Sequence, residues 1–362
     1  MPNYIDQLRS HMSRQPSKLP EKETSEDAID ASSDVLPADI TAQLAEEDGV
    51  DQQEIQKQWL LKCVGYTMTL FRAAAGHKPV KIDALAKHVA SLLTSLSEKP
   101  ERITNLELAV SREFINISKA DKNLGDLIGK SIMMMLYAIK VGFQLRYNGD
   151  ELHALVFAAM LHHIGMAQIP ADIRHKKKKL NASELSQIRA APEKGVAYLR
   201  QCGINDERIL SAAAQAQERF DGSGPTGLQG NDISRTASII GLLSMFEALI
   251  HYRAYRKRLL PRDAIRELLM HHKSFFDPAL LKCLIDAISL YPVGTYVQLN
   301  SGDIGQVIRE NSRLPMRPTV QLSMDRHGNG IVPRDVNLQT QTTLIVEHCM
   351  YPEDVAEISQ NA

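Results

Sequence analysis

Hydrophobic and polar positions follow two different periods along this chain, and the change of period divides it. Trp59, Leu60, Cys63, Val64, Met68, Leu70 and Phe71 recur near helical spacing, and Ile82, Leu85, Ala86, Val89, Leu92, Leu93 and Leu96 repeat the pattern. Pro79 and Pro100 punctuate these segments. Ile132, Met135, Leu136, Ile139 and Phe143 form one stripe of an amphipathic helix, with Met133 and Met134 as adaptable core filling. Residues 152–161 are apolar all round, which predicts a helix buried on every side. Asn181 stands three residues before Glu184, a capping-box spacing. Residues 236–250 predict another apolar helix and 261–270 an amphipathic one.

At Tyr291-Pro292 the helical period stops. Residues 296–299, 305–308 and 319–322 predict short strands separated by Gly, Asn, Asp and Pro. The expected organisation is a disordered tail over 1–36, a helical N-terminal region over 37–120, a helical body over 121–290, a small β module over 291–350 and a closing tail over 351–362. The first tail is assigned on its surplus of Ser, Glu, Asp, Lys and Pro over large apolar residues. The fold class is mainly α with a small C-terminal β module.

Composition narrows the function classes. The 362 residues carry 42 basic and 43 acidic side chains, a formal charge of −1, which argues against a dedicated nucleic-acid binder. No apolar run reaches the roughly 18 residues of a membrane span, and the first residues lack the apolar core of a secretory signal. Cys63, Cys202, Cys283 and Cys349 are scattered without a Cys-x-x-Cys pair, which suits a reducing cytoplasm and argues against a cysteine zinc site.

Chemistry concentrates in two segments. Ala158-Ala159-Met160-Leu161-His162-His163-Ile164-Gly165-Met166, followed by Ile169-Pro170, ends the all-apolar helix. Glu218-Arg219-Phe220-Asp221-Gly222-Ser223-Gly224-Pro225-Thr226-Gly227-Leu228 is a Gly-rich turn. With Asn181-to-Glu184, Pro192-Glu193-Lys194-Gly195, Phe246-Glu247-Ala248-Leu249, Arg253-Ala254-Tyr255-Arg256 and Phe276-Asp277-Pro278, they resemble, in order, the HD-GYP domain. This is a bacterial subfamily of the HD metal-dependent phosphohydrolases. The likeness runs over about 121–290, and the Tyr-Pro-Val-Gly-Thr opening of the β module resembles the tail attached to such domains.

The resemblance implies an HD-type helical fold and, in active members, two or three iron or manganese ions that support hydrolysis of cyclic di-GMP. It also implies that most of the ligand positions are changed here. The first histidine is Lys130, the H-D pair is His162-His163, and the histidine before the Pro-x-x-Gly turn is Ala191. The paired histidines before the glutamate are Ala216 and Gln217, the late aspartate is Ser244, and the G-Y-P tyrosine is missing. Of these positions His162 alone keeps a ligand of the family's type. On a helix His163 would project about 100° away from it and could not readily share an ion. An ammonium at Lys130 would repel a metal.

No cofactor is therefore expected. The leading expectation is a catalytically degenerate regulatory or interaction module in cyclic-di-GMP-type signalling. Its implied partners are GGDEF-type diguanylate cyclases or other signalling proteins, the missing tyrosine counting against the former. Lys130 is expected to replace lost metal charge and to neutralise Asp221 or a bound anion, or else to extend to solvent. The alternative is an active phosphodiesterase rebuilt from His162, His163, Glu218 and Asp221 with iron or manganese, although Asp221 reads first as a cap of the Gly-rich turn. A weaker alternative is a sensor that binds a cyclic dinucleotide without hydrolysis. It would use Lys130 and the basic run Lys176, Lys177, Lys178 and Lys179, which otherwise reads as a solvated loop.

Overall fold

The stretch that is apolar on all sides becomes the centre of the molecule. The computed structural model describes residues 52–100, 102–176, 178–250, 259–311 and 314–361; the expected tail over 1–36 and Lys177 lie outside them. Three helices come first, α1 (Gln52–Ala75), α2 (Asp83–Glu98) and α3 (Arg102–Lys119). They are followed by α4 (Gly125–Gln144) and α5 (Gly149–Leu161). A 3-10 turn (Ile164–Gln168) leads into α6 (Ala171–Arg174), α7 (Ala182–Arg189), α8 (Ala191–Gln201) and α9 (Glu207–Gln215). The helical part closes with α10 (Arg235–Ile250), α11 (Pro261–His271) and α12 (Pro278–Ala287).

Helix α5 packs against α2, α4, α9 and α10, and Val156, Ala158, Ala159, Met160 and Leu161 have no exposed surface. Its start is set by a capping box. Asn148 Oδ1 accepts from the Glu151 amide at 2.9 Å, and Glu151 returns the bond to the Asn148 amide at 3.0 Å. Helix α7 begins at the capping box expected from Asn181 and Glu184.

The N-terminal helices do not stand apart from the body. Helix α3 packs on α1 and α4, α1 meets the 3-10 turn, and the buried Leu92, Leu96, Leu106 and Val110 join the same apolar core as α4 and α5. The Tyr198 hydroxyl of α8 donates to the Lys78 carbonyl at 2.9 Å, closing the seam between them.

Two close backbone approaches shape what lies around the end of α5. Any Cβ on Gly165 would overlap the Ala191 carbonyl and sit 2.7 Å from the Gly195 amide, so α8 lies directly on the 3-10 turn. A Cβ on Gly241 would sit 2.8 Å from the Ala216 carbonyl, so α10 abuts the end of α9.

The β module is an antiparallel sheet of five strands, ordered β4-β3-β2-β1-β5. They are β1 (Tyr296–Leu299), β2 (Ile304–Arg309), β3 (Thr319–Met324), β4 (Gly330–Asn337) and β5 (Val346–Met350). Val307, Val320 and Val336 stand opposite one another in a buried row. Sequence periodicity finds the first three strands and misses the two edge strands. Edge strand β4 is almost wholly exposed and contains Pro333, and β5 carries Glu347 and His348, so neither shows a clean alternation. The expected closing tail is corrected too: residues Pro352–Asn361 form α13, with Glu353 and Asp354 in its first turn and Val355 buried. Arg262 of α11 donates to the Glu347 carbonyl at 2.7 Å, tying the sheet edge to the helical body.

Candidate functional site

Helix α5 stops at Leu161, and His162 and His163 lie on the way into the 3-10 turn. His162 keeps helical backbone angles, but His163 has φ −98° and ψ 6°. This break corrects the expectation that His163 would point away. The two rings lie 3.9 Å apart between centroids, tilted by 40°, and both line one cavity of about 30 Å³. Met166 of the 3-10 turn, Ala191 and Pro192 of α8, Ala213 of α9, Ala216 and Gln217 just beyond it, and Ser244 of α10 complete its wall. A space of that size suits one or two water molecules.

His162 is 7% exposed. Its Nδ1 lies 2.7 Å from the Ala159 carbonyl oxygen. A carbonyl can only accept, so Nδ1 carries the proton and donates. Burial drives the pKa of the ring down to about 3, and the Lys130 charge pushes the same way against the Ala159 hydrogen bond. The imidazole is therefore neutral near pH 7, and its Nε2 presents a lone pair. That nitrogen is buried without a hydrogen-bond partner among the described residues.

Lys130 stands on α4 across from this wall. Its ammonium donates to Ser244 Oγ at 3.3 Å and lies 3.5 Å from a carboxylate oxygen of Glu247, one turn further along α10. The side chains of Lys130 and Glu247 are 16% and 5% exposed. Tyr137 of α4 and Phe246 of α10 meet edge to face at 5.4 Å in the same helix pair. The carboxylate that Lys130 meets is thus Glu247 rather than the expected Asp221, because Asp221 is held within its own turn.

That turn is a separate piece of architecture. Asp221 Oδ1 accepts from the Ser223 amide at 3.0 Å and from the Ser223 hydroxyl at 2.6 Å. Partial burial acts to raise the Asp221 pKa, and the bonds from Ser223 and Ser274 outweigh it and leave it lowered. Glu218, 6% exposed, accepts from the Thr226 amide at 3.0 Å and so staples the Gly-rich turn from beneath. Arg219 lies with its guanidinium 5.7 and 5.8 Å from the Phe275 and Phe276 ring centres. Neither Glu218 nor Asp221 lines the cavity of His162 and His163.

The basic run is not part of the cavity wall either. Lys176 is taken up by the Glu184 carboxylate at 2.7 Å, while Lys178 and Lys179 are exposed. Arg253, Tyr255 and Arg256 lie outside the described residues. Glu247 enters the sequence reading only within the Phe246-Glu247-Ala248-Leu249 segment and not as a site residue. Its signal was its position three residues after Ser244, which puts both on one face of a helix.

A buried helix ending in a His-His step, enclosed by α8, α9 and α10, defines an HD-type domain. The model of the HD domain family matches residues 115–280, and that of the KOW domain associated with the HD domain matches residues 296–358. Residues 115–280 thus belong to the HD domain family, and the chain is similar to proteins of the HD-GYP type.

It is 24% identical over 315 residues to a cyclic di-GMP phosphodiesterase of Pseudomonas aeruginosa, covering 86% of this chain and 73% of that protein. It is 31% identical over 192 residues to the cyclic di-GMP phosphodiesterase PdeB of Borreliella burgdorferi, covering 52% of this chain and 50% of that one. The chain thus spans about three quarters of the first relative and half of the second. Among solved structures it resembles an HDG"Y"P protein from Bdellovibrio bacteriovorus, with a TM-score of 0.53 over 68% of this chain and 76% of that one. At 15% identity that likeness shows the fold alone.

The donor set can be tested against a metal centre of this superfamily. A di-metal site needs several N or O ligands per ion and a bridging carboxylate. The open Nε2 of His162, with Nδ1 fixed by a carbonyl, is oriented as a metal-binding imidazole is. The surrounding positions supply a second imidazole, a carboxamide, a hydroxyl and methyl groups. No group of three or more His, Cys, Asp or Glu suited to an ion comes together among the described residues. With the Lys130 ammonium on Ser244, this set does not fit a di-metal centre.

Proposed function

We propose that this chain is a catalytically degenerate HD-GYP-type protein that works as a regulatory or interaction module in bacterial cyclic-di-GMP-type signalling. One observation carries the reading: Ala191, Ala216, Gln217 and Ser244 line the cavity in which His162 presents its free nitrogen. The packing that forms the cavity is independent of metal ligands, so the fold and its surfaces persist when hydrolysis does not. The proposed ligand class is a cyclic dinucleotide, on the strength of relatives named as cyclic di-GMP and 3'3'-cGAMP phosphodiesterases.

The test is elemental analysis of the purified chain together with a hydrolysis assay on cyclic di-GMP and 3'3'-cGAMP. The expected result is no stoichiometric iron, manganese or zinc and no turnover with those metals added. About one tightly bound transition metal per chain, with turnover abolished by His162→Asn, would overturn it in favour of a rebuilt phosphodiesterase. That second reading rests on relatives named as cyclic di-GMP phosphodiesterases. Calorimetry with the same dinucleotides separates a sensor that binds without cleavage from a pure protein-interaction module. Across the described residues no helix is long and apolar enough to cross a membrane.

A further inference from the structure

We propose that Lys130 is a built-in cation for this pocket: its ammonium, clasped by Ser244 and Glu247 of α10, stands in for metal charge and makes the architecture around His162 independent of metal ions. The inference rests on the reading that the metal-ligand set is lost, and it adds what has taken its place.

The geometry is that of a structural clasp. Lys130 projects from α4 and meets two side chains one turn apart on α10, at 3.3 and 3.5 Å. Both ends of the ion pair are largely withdrawn from water, with 16% and 5% of side-chain surface exposed. A long lysine reaching for solvent would leave its nitrogen outside. Here the nitrogen is turned inward, onto a serine that forms part of the cavity wall. The clasp thus joins α4 to α10 through a pair that is largely buried.

Charge balance gives the same answer. The Lys130 ammonium and the Glu247 carboxylate offset each other, and no residue of the described cavity wall is a carboxylate. A divalent ion entering here would bring two positive charges beside a fixed ammonium, against a described wall that holds no carboxylate. Restoring a cation where Lys130 already supplies one is therefore unfavourable, and withdrawing free metal from solution removes nothing that holds the pocket.

The experiment uses the full chain and a double-mutant cycle. Dialysis against EDTA, or addition of millimolar Mn²⁺, Fe²⁺ or Zn²⁺, is expected to leave the thermal midpoint unchanged. Lys130→Met and Glu247→Gln are each expected to lower the midpoint in urea. The double variant should lose less than the sum of the singles, with a coupling of about tenfold or more in the unfolding equilibrium constant. Additive losses, or a wild-type midpoint that rises with metal, overturn the proposal. Should Lys130→Met not fold, Lys130→Met/Glu247→Met decides: a folded double supports the clasp, and a double as unfolded as the single overturns it. Additive losses in a metal-free, inactive chain remove only the role of Lys130. Bound metal with turnover removes the degenerate reading itself.

Discussion

Acid should destabilise this protein through His162 in particular. The ring is neutral in the folded state because burial and the Lys130 charge bring its pKa from the ordinary 6.5 down to about 3. In the unfolded chain the same ring takes up a proton as the pH falls through 6.5. Between these two values the unfolded state binds the extra proton, so stability falls as pH falls. Each pH unit in that window costs about 1.4 kcal/mol for one group. Between about pH 7 and about pH 5 the loss from His162 alone comes to about 2 kcal/mol, a factor of about 30 in the unfolding constant. His162→Asn removes the titration while its side-chain amide can still donate to the Ala159 carbonyl. Urea unfolding of both proteins at the two pH values gives the comparison. The two proteins differ at position 162 alone, so the difference between their losses reads that position. The wild type is expected to lose about 2 kcal/mol more than the variant on acidification, whatever the variant's absolute stability. Equal losses in the two proteins would refute a buried, neutral His162.

Two further outcomes follow from the packing around the site. Gly165→Ala puts a methyl group into the Ala191 carbonyl and against the Gly195 amide, backbone atoms that cannot rotate aside, so a loss of about 1–3 kcal/mol is expected in urea melts. Glu218→Ala removes the buried acceptor of the Thr226 amide, and a cost of about 1–3 kcal/mol is expected, with faster hydrogen exchange at that amide and in the Gly-rich turn.

Much of the helical body is legible along the chain because its signals are local. The all-apolar run of α5 and the Asn181–Glu184 cap act through neighbours in sequence, and the structure shows both. Elements whose stability comes from elsewhere leave little trace. Strand β4 is held by its ladder to β3 with Val336 as its buried apolar residue, and α13 is short, with Val355 buried and Ile358 half-buried. The helices of the N-terminal region are legible from their own periodicity, and only their packing is not. Nothing local says that the apolar faces of α1 to α3 close on α4 and α5, yet they share one core.

For the site, the sequence by itself determined the chemical inventory: a His-His step at the end of a buried helix, and alanine, glutamine, serine and lysine at the other positions compared. Only the tertiary structure decided who meets whom. A 3-10 turn, free to lie against α8 because Gly165 lacks a side chain, brings His163 to the same cavity as His162. The fold of α4 against α10 gives Lys130 to Glu247, while Asp221 and Glu218 spend their oxygens on the Gly-rich turn. The physical reason is that charge pairing depends on distance in space between groups that stand 117 residues apart along the chain, as Lys130 and Glu247 do. Periodicity reports which side of an element is buried, and it carries no information on which partner waits there.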